Sequence, residues 1–232
     1  MQKNKKNKKK TVFSEKLKSQ ISLLQWYYNY LYLWKFLEQI IMDNDLSWYA
    51  ENTKVPTWDD TTFMLNWNTL KDKLKLISQN PGKKNIFWYF VELSSFRWVM
   101  WIMNELLEDN GDFVIFIQNI LWDDFFDFTH IVKFSRNVMI HGTSPQLLLD
   151  IQNFDKHRSY LASQNKAILD FDFNYSQKIT WRKWSSDYWI KIKIDWTKMH
   201  SWKSFWKFVS VHQLYLLCEL CYNFTLVYVK NK

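Results

Sequence analysis

The chain has 232 residues, 47% hydrophobic and 19% aromatic, with only 3 Gly and 3 Pro. That composition excludes a disordered or loop-rich polypeptide and leaves a compact, helix-dominated globule with one core or at most two small ones. The formal charge of +8 would suit a polyanionic partner, but six lysines stand in the first ten residues, MQKNKKNKKK, and the remainder is close to neutral.

Residues 1–10 read as a disordered basic arm, either simply solubilising or adding salt-sensitive, sequence-blind attraction to phosphates. The segment behind it, TVFSEKLKSQISLLQWYYNYLYLW, carries charges early and offers no small-residue cleavage site, so a secretory leader is not expected. Two cysteines make no disulfide framework, in keeping with a reducing, cytoplasmic location.

Residues 11–45 are helical in pattern, with Ile21, Leu24, Tyr28, Leu31 and Phe36 on one apolar stripe. A loop with Pro56 follows. A second helix is expected over 59–78, its apolar side formed by Phe63, Leu65, Trp67, Leu70, Leu74 and Ile77, with NPGKKN at 80–85 as its stop. Residues 86–103, IFWYFVELSSFRWVMWIM, form the most apolar run. Glu92 and Arg97 near its centre would each cost about 2.5–3.5 kcal/mol in mid-bilayer, so a buried central helix with a structural ion pair is expected rather than a membrane span.

After a short helix at 112–121, a longer one starts near Asp123 or Asp124 and stops at Gly142, with Pro145 three residues on. QLLLDIQNF at 146–154 adds a possible short helix. The period then changes to alternation: Leu169, Phe171, Phe173 and Tyr175 face one side in ILDFDFNY, and Ile190, Ile192 and Ile194 in WIKIKIDW. Paired antiparallel, these strands set aspartates opposite lysines. A long helix over 204–229 closes the chain. The pattern is a single body, residues 11–232, mainly α, with a small antiparallel β-hairpin insertion at about 166–198 before the C-terminal helix.

Fifteen Trp against 3 Gly is an unusual balance. Trp58, Trp196 and Trp202 stand where turn chemistry favours glycine, which suggests that some of these codons are read as Gly in the source organism.

The stretch SRNVMIHGTS carries the chemistry. At 100° per residue, Thr129, His130, Lys133, Arg136, Asn137 and His141 fall within an arc of about 140°, and from Thr129 onward this face holds no carboxylate. Phe128, Ile131, Val132, Phe134, Val138 and Met139 fill the opposite side. Such a set of donors and imidazoles suits a phosphate: His141 as general base or acid, Arg136 stabilising charge on phosphoryl oxygens, Asn137 orienting the ring, and Lys133 and His130 as substrate contacts. No metal-ligand spacing appears; His157, His200 and His212 are scattered, and CELC at Cys218–Cys221 reads as two buried small hydrophobes.

RNVMIH at 136–141 resembles the signature of the HEPN superfamily, an Arg followed by a polar residue, often Asn, with His four to six residues after the Arg, near the end of a helix in an all-α bundle. The resemblance covers the helical body; the β insertion is not part of the minimal pattern. It implies a HEPN-like helical bundle and a metal-independent endoribonuclease without cofactor. Its partners would be RNA and a second copy of the chain, the two motifs lining one composite active site. The products would end in a 2',3'-cyclic phosphate and a 5'-hydroxyl. Such proteins serve as toxins, countered by an antitoxin protein, or in antiviral defence. The tyrosine often modified in toxin systems follows the His by two positions; Thr143 stands there. The rival reading is a non-catalytic HEPN-fold module for nucleotide binding, protein binding or dimerisation, which the near-neutral body favours.

Overall fold

The computed structural model describes residues 14–43, 52–56, 62–66, 69, 72, 79, 81–141, 147–149, 151–174, 189–198 and 203–231. Within these, side chains are described at 14–33, 66, 69, 72, 79, 92–140, 147–149, 155, 158–174, 189–198 and 203–231. The basic arm at 1–10, Trp58, Gly142, Tyr175, Trp202 and the side chains of Phe36 and His141 lie outside them. The described chain is mainly helical with small antiparallel two-stranded sheets, and it divides into two compact units, Met1–Tyr28 with Ser95–Lys232, and Asn29–Ser94.

In the smaller unit, β1 (Asn52–Pro56) pairs antiparallel with β2 (Thr62–Asn66), from Asn52 opposite Asn66 to Pro56 opposite Thr62. This corrects the expected loop at Pro56 and the helix from 59. Phe63, Leu65 and Trp67 recur every second residue, a strand period that the helical template absorbed. Pro56 fits because a two-stranded ribbon has only edge strands, which tolerate a missing N–H. Thr69 and Asp72 are helical, and the Thr69 backbone N–H donates to Asn66 Oδ1 at 2.8 Å in the manner of an N-cap.

The two long helices are α1 (Glu15–Asp43) and α2 (Pro81–Asp109). Ser14 caps α1, its Oγ accepting the Leu17 N–H at 3.1 Å. Within the stop expected at 80–85, residues 81–85 instead open α2. Proline at the opening helical position loses no hydrogen bond and presets φ. Among the described residues no helix is long and apolar enough to cross a membrane.

In the larger unit, α3 (Gly111–Leu121) leads through a 3-10 turn, Trp122–Asp124, into α4 (Phe125–His141). Helix α4 buries Phe128, Ile131, Val132, Phe134 and Met139 of the face its periodicity predicts, while Val138 is only half-buried. Phe128 meets Phe171 at 5.7 Å and Phe224 edge-on at 5.6 Å; Phe134 meets Trp196 edge-on at 4.9 Å. Residues 147–149, expected in a short helix, are not helical: Leu147 takes a left-handed φ of 42°, Leu148 bridges Ser204, Leu149 N–H donates to the Lys203 carbonyl at 3.1 Å and Phe205 N–H to the Leu147 carbonyl at 3.0 Å. Helix α5 (Ile151–Ser163) follows and ends on a left-handed Asn165 at φ 53°, with Lys166 N–H bonded to Leu161 O and Asn165 N–H to Ala162 O, each at 3.0 Å. Asparagine tolerates that conformation and leaves the last carbonyls satisfied.

β3 (Ile168–Asn174) and β4 (Trp189–Asp195) pair antiparallel in the expected register, Asp170 opposite Lys193 and Asp172 opposite Lys191, with both ion pairs at 2.8 Å. Leu169, Phe171, Phe173, Ile190, Ile192 and Ile194 are all fully buried. Asp127 docks the hairpin on α4: its Oδ2 accepts the Asp170 N–H at 3.0 Å and its Oδ1 pairs with Lys166.

The last helix, α6 (Val211–Asn231), starts seven residues later than expected, after a 3-10 turn at Phe205–Lys207. A capping box sets the start: Gln213 N–H donates to Ser210 Oγ at 3.1 Å and Ser210 N–H to Gln213 Oε1 at 2.7 Å. Cys218 and Cys221 are buried free thiols, and burial raises both well above the ordinary thiol range, as suits inert core residues.

Candidate functional site

Helix α4 presents its polar side to a cavity of about 670 Å³. It contributes Phe125, Thr129, His130, Lys133 and Asn137; α2 contributes Asn104, Leu107 and Glu108; Val114 comes from α3 and Tyr160 from α5. Four of the six residues of the arc predicted from sequence therefore meet one space. The helix runs to His141 as its spacing requires, so the imidazole-bearing residue stands one turn past Asn137; its side chain lies outside the described residues.

Arg136 is not a lining residue. Its Nη1 donates to Asn137 Oδ1 at 2.7 Å, and its guanidinium carbon lies 5.7 Å from the centroid of the Trp101 ring. Trp101 belongs to a stacked row with Trp98 and Tyr27, successive centroids 5.3 Å apart, and its indole N–H donates to Glu105 Oε1 at 2.5 Å. The Arg136 Nε is buried without a hydrogen-bond partner. The guanidinium thus holds the side chain of Asn137 by its amide oxygen.

His130 is half-buried between two rings, Phe126 at 4.3 Å and Tyr160 at 5.2 Å. Burial lowers its pKa below the ordinary histidine value, the Lys133 and Lys166 ammoniums push the same way, and the Asp127 carboxylate opposes them. The ring is therefore neutral at pH 7 and offers stacking and one hydrogen bond rather than a positive charge. Thr129 Oγ1 donates to the Phe126 carbonyl at 2.8 Å, which leaves its lone pairs as acceptors.

The carboxylate-free face read along α4 is not carboxylate-free in three dimensions. Glu108 enters from α2 and stands 3.6 Å from Lys133 Nζ, so the ammonium is part-neutralised where a phosphate would meet it. Asn104, Glu108 and Tyr160 were missed by reading the sequence. Asn104 and Glu108 are one helical turn apart at the polar end of an apolar run, a signal that was present. Tyr160 reaches the cavity only through the packing of α5. Among the described residues no group of three or more His, Cys, Asp or Glu could hold a metal ion. Comparison with family models, curated proteins and solved structures yields no match to this chain.

Proposed function

We propose that the chain is a metal-independent endoribonuclease of HEPN type that acts in the cytoplasm as a homodimer, in a toxin–antitoxin or antiviral setting. The single observation that carries the reading is the position of Asn137 of RNVMIH. It opens on the same cavity as Thr129, His130 and Lys133, and Arg136 is bonded to it.

In this reading His141 takes the proton of a ribose 2'-hydroxyl, whose oxygen attacks the adjacent phosphorus. The P–O5' bond breaks and the leaving oxygen takes up a proton, giving a 2',3'-cyclic phosphate and a 5'-hydroxyl. Arg136 stabilises the charge growing on the phosphoryl oxygens, Asn137 orients the reacting groups, and Lys133 attracts the substrate backbone.

The test is incubation of purified protein with total RNA, with and without EDTA, beside His141→Ala and Arg136→Ala. Cleavage that survives the chelator and falls by about a hundredfold or more in each variant, with unchanged circular dichroism, is the expected result. Undiminished cleavage in both variants overturns it. A second reading, a nucleotide- or protein-binding module that does not cut, draws support from Glu108 beside Lys133 and from the engagement of Arg136 with Trp101. It predicts saturable binding with no RNA turnover.

A further inference from the structure

Asn104 is only 4% exposed, lines the cavity, and its carboxamide makes no hydrogen bond to a described residue. Its amide atoms are not among the polar atoms sealed from solvent, so they open on the cavity and can pair with what enters it. Within the site already described, a buried amide facing an open space is a half-made recognition contact.

We propose that the cavity is an adenine-reading subsite, in which Asn104 pairs with the base edge, Glu108 accepts from the exocyclic amine, and the base stacks on Tyr160. A carboxamide sets one donor beside one acceptor, which matches the amine and adjacent ring nitrogen of adenine. Glu108, one turn along α2, gives the remaining N–H of that amine an acceptor and repels a carbonyl in its place. Tyr160 is about half exposed and already continues the ring series through His130 to Phe126, so its outer part offers a platform for an unstacked base. The cavity is within the range of about 300–1,000 Å³ usual for small-ligand sites. Lys133 at the same space would meet the phosphate. The inference rests on the RNA reading for its source of adenine: an unpaired base next to the bond to be cut.

Titration calorimetry with wild type and Asn104→Leu, each against AMP, inosine monophosphate and a short 2'-O-methyl oligonucleotide holding one adenine, tests it without any cleavage step. Inosine monophosphate differs from AMP by a carbonyl in place of the amine. The subsite requires AMP to bind at least tenfold more tightly than the inosine nucleotide, the oligonucleotide more tightly still, and Asn104→Leu to lose tenfold or more of both adenine affinities. Leucine keeps the branching and the number of side-chain heavy atoms of asparagine, and an unchanged Tm shows that the variant folds. No binding, equal binding of the two mononucleotides, or a variant that binds as wild type does overturns the subsite. AMP bound as tightly as the oligonucleotide assigns the cavity to free nucleotide and overturns its place in RNA cleavage. Cleavage without adenine binding sinks this inference alone; adenine binding without cleavage sinks the nuclease reading alone.

Discussion

Trp122 takes φ 50° and ψ −117° where α3 ends, with its side chain 75% exposed. A side chain with a Cβ is strained there at a cost of about 1–3 kcal/mol, while glycine is at ease. Trp122→Gly should therefore raise the free energy of unfolding by about 1–2 kcal/mol, read as a higher denaturant midpoint at constant m-value. A fall in stability would show that the indole contributes more than the backbone strain removes. The same position extends the excess of Trp over Gly from composition to geometry, and intact mass of natively expressed protein decides whether residues such as this are translated as Gly. His130 gives a second residue-scale expectation. Its neutral form is favoured in the fold, so its contribution is complete above the unfolded histidine value of about 6.5 and is lost as pH falls from there through the lower folded value. Wild type should lose more stability on acidification below that point than His130→Gln, measured by urea unfolding across pH; parallel curves would show that the ring titrates as it does in the unfolded chain. Residue types and helical spacing predicted that Lys133, His130 and Asn137 share a face. They could not predict that burial would keep His130 neutral, because desolvation belongs to the neighbours and not to the residue.

At the scale of elements, the β3–β4 hairpin was legible down to its register, because one face had to be buried and a one-residue slip would expose every apolar side chain. Its docking was not. Asp127 lies in the first turn of α4, 5% exposed, and reaches the strand backbone of Asp170 as well as Lys166. Asp127→Ala should cost about 2 kcal/mol, the scale of a charged hydrogen bond withdrawn from a covered N–H, and Asp127→Asn less, since an amide oxygen still accepts from Asp170. Thermal unfolding compares the two; equal losses would mean that the ion pair, not the backbone bond, fastens the hairpin. The β1–β2 hairpin was misread because five-residue strands with a period of two were fitted into a longer helical window. The start of α6 was misplaced for a different reason. Apolar residues continue through 204–210, and only the Ser210–Gln213 box marks where the helix opens.

Across the whole molecule, composition and period determined a mainly helical chain with an inserted hairpin and the helix that carries RNVMIH through to His141. These are local consequences: backbone geometry repeats every 3.6 or 2 residues, so burial on one side writes a pattern that any window of the sequence shows. The cavity is of another kind. Asn104 and Glu108 on α2, Lys133 and Asn137 on α4 and Tyr160 on α5 are far apart in the chain, and nothing in their spacing says that they meet. Only the tertiary packing turned Arg136 toward Asn137 and Trp101, set Glu108 beside Lys133, and left the Asn104 amide facing open space. Side-chain direction and desolvation across elements are set by which helices pack together, and that choice is made by the summed burial of the whole core rather than by any one segment.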